Sequence, residues 1–194
     1  ADLLVFSGHK GLFGLQCTGV LIIGERIRSL RPWREGGTGF NSLAQEQPQD
    51  WPERFEAGTP NVPGILSLNE GLAFLEKEGL TAVRDKEMQL FNQLWQGLHE
   101  VDNLRLHGPP PGEERISILS CSMQGWEPED IGEMLNYNHE LHVRVGLHCA
   151  PLAHQTTGTL PLGTVRLSPG YFSTQADIAQ AVAAVRTIAE TVLP

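Results

Sequence analysis

The stretch Leu3-Leu4-Val5-Phe6-Ser7-Gly8-His9-Lys10-Gly11-Leu12-Phe13-Gly14 carries a short apolar run into a turn of polar and small residues spaced by glycine. An apolar run of this length, closed by turn residues, predicts a buried strand, and the end of a strand holds its last side chains still. Lys10 therefore reads as a positioned amine, the group that Schiff-base chemistry requires. Its place raises a question of completeness, because almost nothing precedes position 10 that would help hold a cofactor.

The rest of the composition narrows the class of partner. The chain has 194 residues, 40% hydrophobic and 19% charged, which is enough for a real core in one or two domains and unlike a disordered acidic tail. No apolar run approaches the roughly 20 residues of a membrane helix, and no signal-peptide pattern is visible. A formal charge of −9 argues against nucleic acid or an anionic membrane as partner, since both demand a basic face. Small molecules and proteins are the partners to expect. Cys17, Cys121 and Cys149 are odd in number and unclustered, so the reading is reduced thiols in a cytoplasmic protein rather than a disulfide framework.

Beyond the lysine turn, Gly19 to Ile23 reads as a second strand, and Arg31 to Pro63 is a long irregular segment rich in Gly, Pro, Asn and Gln. Helical spacing follows over Gly64 to Lys77 (Ile65, Leu68, Leu72, Leu75) and over Leu80 to Leu98, with a break at Gly79. Leu104 to Leu106 and Arg115 to Ser122 alternate like a hairpin around Gly108-Pro109-Pro110-Pro111-Gly112, and Pro128 to about Glu140 reads as a helix with proline in its first turn. Val143 to Val145 and Thr164 to Leu167 look like strands on either side of a polar loop. Thr174, with Asp177 three residues on, predicts a capped helix that runs through Ile178, Val182, Val185, Ile188 and Val192.

Taken singly, the chemical candidates are modest. A lysine after a strand is most often a solvated surface group. Cys149, in Arg144-Val145-Gly146-Leu147-His148-Cys149-Ala150-Pro151, has an imidazole and a guanidinium nearby that favour the thiolate, but it reads equally as an inert buried thiol. Arg166 offers a guanidinium fork to a carboxylate or, just as simply, to a surface ion pair. His142, His148, Cys149 and His154 match no zinc spacing, so no metal is expected, and Gly36-Gly37-Thr38-Gly39 lacks the leading strand and closing Lys-Ser/Thr of a phosphate loop.

Taken in order, four strings say more: Phe6-Ser7-Gly8-His9-Lys10, Arg54-Phe55-Glu56-Ala57-Gly58-Thr59-Pro60-Asn61, Arg144 to Cys149, and Val165-Arg166-Leu167-Ser168-Pro169. Together they resemble the cysteine desulfurase family, class V aminotransferase-like enzymes of PLP fold type I, and within it the SufS-type desulfurases and selenocysteine lyases. The resemblance spans nearly the whole chain. It implies an α/β fold in which residues 1–63 are the end of a PLP-binding large domain and 64–194 are a linking helix and an α+β small C-terminal domain.

It also implies roles. Lys10 is then the lysine that carries pyridoxal 5′-phosphate and moves protons at the substrate α-carbon, an amine whose pKa desolvation would lower, with Ser7 and His9 as phosphate-site residues. Thr59 is similar to the threonine that reaches the cofactor phosphate of a partner subunit, which implies a homodimer. Arg166 looks like the receptor of the substrate α-carboxylate. Cys149 looks like the nucleophile that takes sulfur as a persulfide, leaves alanine and passes the sulfur to an acceptor protein. Arg144 would shape that loop or touch substrate, and Cys17 and Cys121 would be structural. Pro151 to Gly163 is longer than expected after this motif in a SufS-type sequence.

The family places three cofactor contacts before the lysine: a helix start for the phosphate, a histidine stacked on the ring and an aspartate at the pyridine nitrogen. The expectation is therefore a C-terminal half, inactive alone. Two other readings stay open: a selenocysteine lyase or another class V lyase or transaminase with Cys149 incidental, and a non-catalytic folding or dimerisation module.

Overall fold

The computed structural model describes residues 1–37, 41 and 43–191, and the chain forms two compact units, Ala1–Leu80 and Thr81–Pro194. Thr38, Gly39 and Val192, which enter the readings above, lie outside the described residues.

In the first unit, β1 (Leu3–Ser7) and β2 (Gly19–Ile23) pair antiparallel, from Leu3 opposite Ile23 to Ser7 opposite Gly19. The connection is tied by backbone bonds from Gly8 N–H to Thr18 O (3.0 Å), Gly14 N–H to Gly8 O (2.9 Å) and Phe13 N–H to Lys10 O (3.0 Å). Gly8 is required there, since a Cβ would stand 2.5 Å from Thr18 Oγ1. The described residues between 24 and 61 are irregular apart from a 3₁₀ turn at Glu53–Phe55. The buried Gln47 organises part of them, accepting from Gly36 N–H and donating to the carbonyls of Glu53 and Glu56.

Helix α1 (Val62–Glu78) starts two residues before the apolar spacing indicates, because Asn61 caps it. Asn61 Oδ1 accepts from Gly64 N–H while its Nδ2 donates to Cys17 O, so one side chain fastens the helix start to the β1–β2 connection. The inward face of α1 is lined by Gly64, Gly71 and Leu75, whereas Ile65 and Leu72 of the expected stripe are exposed. Glycine adds nothing to hydrophobic periodicity, but at Gly71 it lets the helix approach the Leu12 carbonyl more closely than any Cβ would allow.

The second unit is a two-layer α/β domain. α2 (Leu80–Leu98) leads into β3 (Leu104–His107) and β4 (Leu119–Met123), then α3 (Pro128–His139), β5 (Arg144–Gly146), α4 (Pro151–Thr157), β6 (Thr164–Leu167) and α5 (Gln175–Glu190). The sheet runs β3-β4-β6-β5, antiparallel throughout. Alternation decides its two faces. Leu106, Cys121, Val165 and Val145 form one lateral row that packs with Phe91, Leu94 and Leu98 of α2, Ile131 and Leu135 of α3, and Ile178, Val185 and Ile188 of α5. α5 opens with the predicted capping box: Thr174 Oγ1 accepts from Asp177 N–H, and Asp177 Oδ2 accepts from Thr174 N–H.

Two expectations are corrected. The second hairpin strand begins at Leu119, not Arg115, because Arg115 lays its guanidinium 3.7 Å from the Phe91 ring centroid and donates to the carbonyls of Pro109, Ile116 and Ile118, which pins 115–118 in a loop. The polar loop expected between Val145 and Thr164 contains α4. Pro151 starts that helix and Gly158, in the left-handed region at φ 71°, ends it.

Candidate active site

The first unit gathers one part of the expected chemistry. Ser7 ends β1, and His9 and Lys10 follow in the turn fixed by Gly8, so a hydroxyl, an imidazole and an amine issue from four consecutive residues. His9 and Lys10 are exposed and Ser7 is half-buried. Among the described residues no hydrogen bond or ion pair engages the three side chains. Thr59 is also exposed, after Gly58, whose N–H donates to Gly37 O at φ 85°.

The second unit gathers the rest by strand register. His107 lies opposite Ser120, Ser120 opposite Arg166, and Arg166 opposite Arg144, so these four residues form one row across all four strands on the face away from the core. Thr164, two residues before Arg166, shares that face. Arg166, His107, Ser120, Thr164, His148 and His154 line a cavity of about 450 Å³, at whose rim Arg115 and Glu114 stand. Two buried nitrogens there have no partner, Arg166 Nε and His148 Nδ1.

Cys149 sits beside this cavity rather than in it. Its neighbours His148 and Ala150 line the pocket while Cys149 itself is exposed, 3.1 Å from Arg144 Nη2 through Sγ. The division of sides comes from the backbone. Gly146 closes β5 at φ 86°, and His148 (φ 53°) and Cys149 (φ 61°) both occupy the left-handed region before α4 begins. His148 Nε2 meets Thr164 Oγ1 at 3.1 Å, its ring lies 5.5 Å from that of His154, and His154 Nδ1 meets Thr159 Oγ1 at 2.7 Å.

Electrostatics follow burial and charge. His148 is held below the usual imidazole range first by desolvation and then by the positive charges of Arg166, His154 and Arg144, with a Thr164 backbone contact opposing them. His107 shifts the same way, again mainly through burial. Burial pushes the Cys121 thiol up to about 12, the behaviour of an inert core cysteine. Cys17 is exposed, and it serves the fold through its carbonyl rather than its sulfur. Among the described residues no group of three or more His, Cys, Asp or Glu is gathered to hold a metal ion.

A carbonyl-bearing phosphorylated cofactor fits what the first unit offers. Lys10 supplies an amine free of protein partners, and Ser7 and His9 supply hydroxyl and imidazole groups equally free, on a turn too tight to drift. Sequence reasoning missed His107, Ser120 and Thr164. The signal was present, since polar residues alternate with Leu, Cys and Val in Leu104-Arg105-Leu106-His107, Leu119-Ser120-Cys121-Ser122 and Thr164-Val165-Arg166-Leu167, and it marks a second, polar face of the sheet.

Comparison with known proteins gives the same direction. The family "aminotransferase class-V" matches residues 1–181. A cysteine desulfurase of Salmonella agona is 33% identical over 153 residues, 77% of this chain and 36% of that protein. A cysteine desulfurase of Escherichia coli O127:H6 is 34% identical over the same length and shares. Among solved structures, an apo cysteine desulfurase from Thermococcus onnurineus superposes with a TM-score of 0.88 at 30% identity over 98% of this chain and 47% of that one. An S-sulfonic acid form of a cysteine desulfurase from Escherichia coli does so with a TM-score of 0.84 at 27% identity over 96% of this chain and 45% of that one. The α/β class expected from the sequence is borne out, and the chain has the fold of part of a fold type I enzyme. It spans 36% of the length of these curated relatives.

Proposed function

Because the chain belongs to the class-V aminotransferase family, we propose that it is part of a PLP-dependent cysteine desulfurase, which takes sulfur from L-cysteine and releases L-alanine. The observation that carries this reading is the pairing of Arg144 Nη2 with Cys149 Sγ at 3.1 Å, on the sheet row where Arg166 lines a cavity. A guanidinium facing a sulfur and a second one lining a cavity divide the work that desulfuration needs.

Lys10 would hold the cofactor, with Ser7 and His9 at its phosphate and Thr59 serving the cofactor phosphate of a partner subunit in a homodimer. Bound PLP supplies an electron sink that weakens bonds at the substrate α- and β-carbons. Arg166 fixes the α-carboxylate by a two-pronged contact that sets orientation as well as affinity. Lys10 then accepts the α-proton and returns protons to carbon. Cys149, as thiolate, attacks the substrate sulfur: an S–S bond forms, the C–S bond breaks with its electron pair left on carbon, and protonation there gives alanine. Cysteine and the enzyme thiol thus become alanine and an enzyme persulfide, with atoms and electrons balanced. Arg144 holds the attacking sulfur in place through the Nη2–Sγ contact.

Leu4, Val5 and Ile22 of the first unit are uncovered, at 49%, 72% and 50% exposure. They are what an internal layer of a larger cofactor-binding domain would present, and this supports the reading of the chain as one portion of such an enzyme, serving a sulfur-acceptor protein in the cytoplasm.

The test begins with PLP and borohydride. Reduction of the chain with bound PLP is expected to leave a stable adduct on the peptide containing Lys10 and none in Lys10→Ala. In the full-length protein carrying this chain, cysteine should yield alanine and a persulfide mapped to Cys149. Sulfur release undiminished in Cys149→Ala would transfer the reading to another class V lyase or transamination. No Lys10 adduct would favour a non-catalytic module.

A further inference from the structure

We infer that Thr164 is a positioning residue for Cys149, acting through His148. The inference rests on the reading of Cys149 as the sulfur acceptor and names what holds that thiol in place.

Cys149 is exposed on the connection from β5 to α4, where a side chain is ordinarily free to wander. Its neighbour does not share that freedom. The His148 ring meets Thr164 Oγ1 through Nε2 at 3.1 Å and also contacts the Thr164 backbone. A hydroxyl donates or accepts, so the bond to Nε2 forms with either ring tautomer. Thr164 is 1% exposed, on a strand flanked by β4 and β5, which makes it a fixed point. The same ring lies 5.5 Å from that of His154 in α4, which is 6% exposed and bonded through Nδ1 to Thr159 Oγ1 at 2.7 Å. His148 is thus gripped from β6 and from α4.

The grip passes to the sulfur through the backbone. His148 at φ 53° and Cys149 at φ 61° occupy the left-handed region in succession, and Ala150 N–H closes the turn onto Leu147 O at 2.8 Å. That region is unfavourable for side chains of both residues, so the pair stays there only under restraint from its surroundings. The anchored ring supplies the restraint. Only two backbone torsions separate the Cα of His148 from that of Cys149, and the thiol therefore leaves the chain in a direction that places Sγ 3.1 Å from Arg144 Nη2. Thr164 itself presents almost no surface to a substrate, which confines its influence to the ring it holds.

The experiment follows alanine release from L-cysteine by the full-length, PLP-bound protein carrying this chain, together with amide hydrogen exchange. Thr164→Val keeps the branched shape and removes the hydroxyl. It is expected to lower kcat about tenfold, because a misplaced thiol attacks less often, and to leave KM for cysteine unchanged. Thr164→Ser should restore most of that loss. His148→Asn, which tolerates positive φ but lacks the ring, should match Thr164→Val, and the double variant should lose no more than either alone. The Ala150 amide should exchange about tenfold faster in Thr164→Val while the amides of β4 keep their rates. Additive losses, a raised KM with kcat intact, or a Thr164→Ser variant as slow as Thr164→Val would overturn the inference. Absence of alanine from the unaltered protein would instead remove the reading of Cys149, and the anchor would then stand or fall on the Ala150 exchange. Should Thr164→Val fail to fold, the unaltered protein decides: an Ala150 amide exchanging as fast as in a free peptide shows the turn to be unanchored, and a protected one upholds the anchor when His148→Asn abolishes the protection.

Discussion

Replacing Gly163 by alanine tests whether the cysteine loop is held by the close approach of β5 to β6. Gly163 adopts φ 85°, and a Cβ there would stand 2.8 Å from Gly146 Cα and nearer still to its carbonyl carbon and oxygen. Those are backbone atoms at the end of β5 and cannot rotate away. The positive φ alone disfavours alanine by about 1–2 kcal/mol. Relieving the collision then requires the end of β5 to move off β6, which weakens the Gly146–Thr164 pairing and the His148–Thr164 hydrogen bond, at about 0.5–1.5 kcal/mol each. The expected loss is about 2–5 kcal/mol in all. Gly158→Ala is the internal control: its φ of 71° imposes the same backbone strain, but a Cβ there meets nothing within 4 Å, so its loss should stop near 1–2 kcal/mol. Urea unfolding followed by far-UV circular dichroism gives both values. Equal losses in the two variants would refute the claim that β5 and β6 are packed through Gly163.

Stability should fall as the pH is lowered through the ordinary imidazole range. His107 and His148 are held below their unfolded value of about 6.5, so the unfolded chain binds protons first as pH drops; melting temperatures unchanged between neutral and mildly acidic pH would contradict this. In native buffer an alkylating agent should modify the exposed Cys17 and Cys149 and spare the buried Cys121, as peptide masses would report. With its thiol pushed up to about 12, Cys121 should also make stability decline as pH rises from about 9, and Cys121→Ala should remove that decline. Thr174→Ala should cost about 1 kcal/mol by removing the cap of α5; a loss no larger than that of an exposed substitution elsewhere on α5, such as Thr187→Ala, would deny the cap its role.

Much of the fold was legible where side-chain pattern and backbone requirement agree. β2, β6 and the Gly79 break stand where alternation and glycine placed them, and the Thr174 cap forms as its spacing implied. Patterns failed where one polar side chain overrides them: Arg115 turns a strand-like run into a loop, and Asn61 starts α1 early. α4 hid because its seven residues are too few for periodicity to show. At the site, Arg144, Cys149 and Arg166 were singled out by the sequence, and the structure pairs the first two directly and sets the two arginines opposite each other. The histidines were harder. His148 and His154 first look like weak metal ligands, and only the register of β5 against β6 shows that they belong to a pocket wall.

His148 and Cys149 are the one consecutive pair of non-glycine residues held at positive φ among the described residues. Each such residue sits about 1–2 kcal/mol above its preferred backbone state, and the contact between the His148 ring and the Thr164 hydroxyl helps to hold the pair there. The direction in which the thiol is presented is therefore set by two pairs of backbone torsions, clamped between the end of β5 and the first turn of α4.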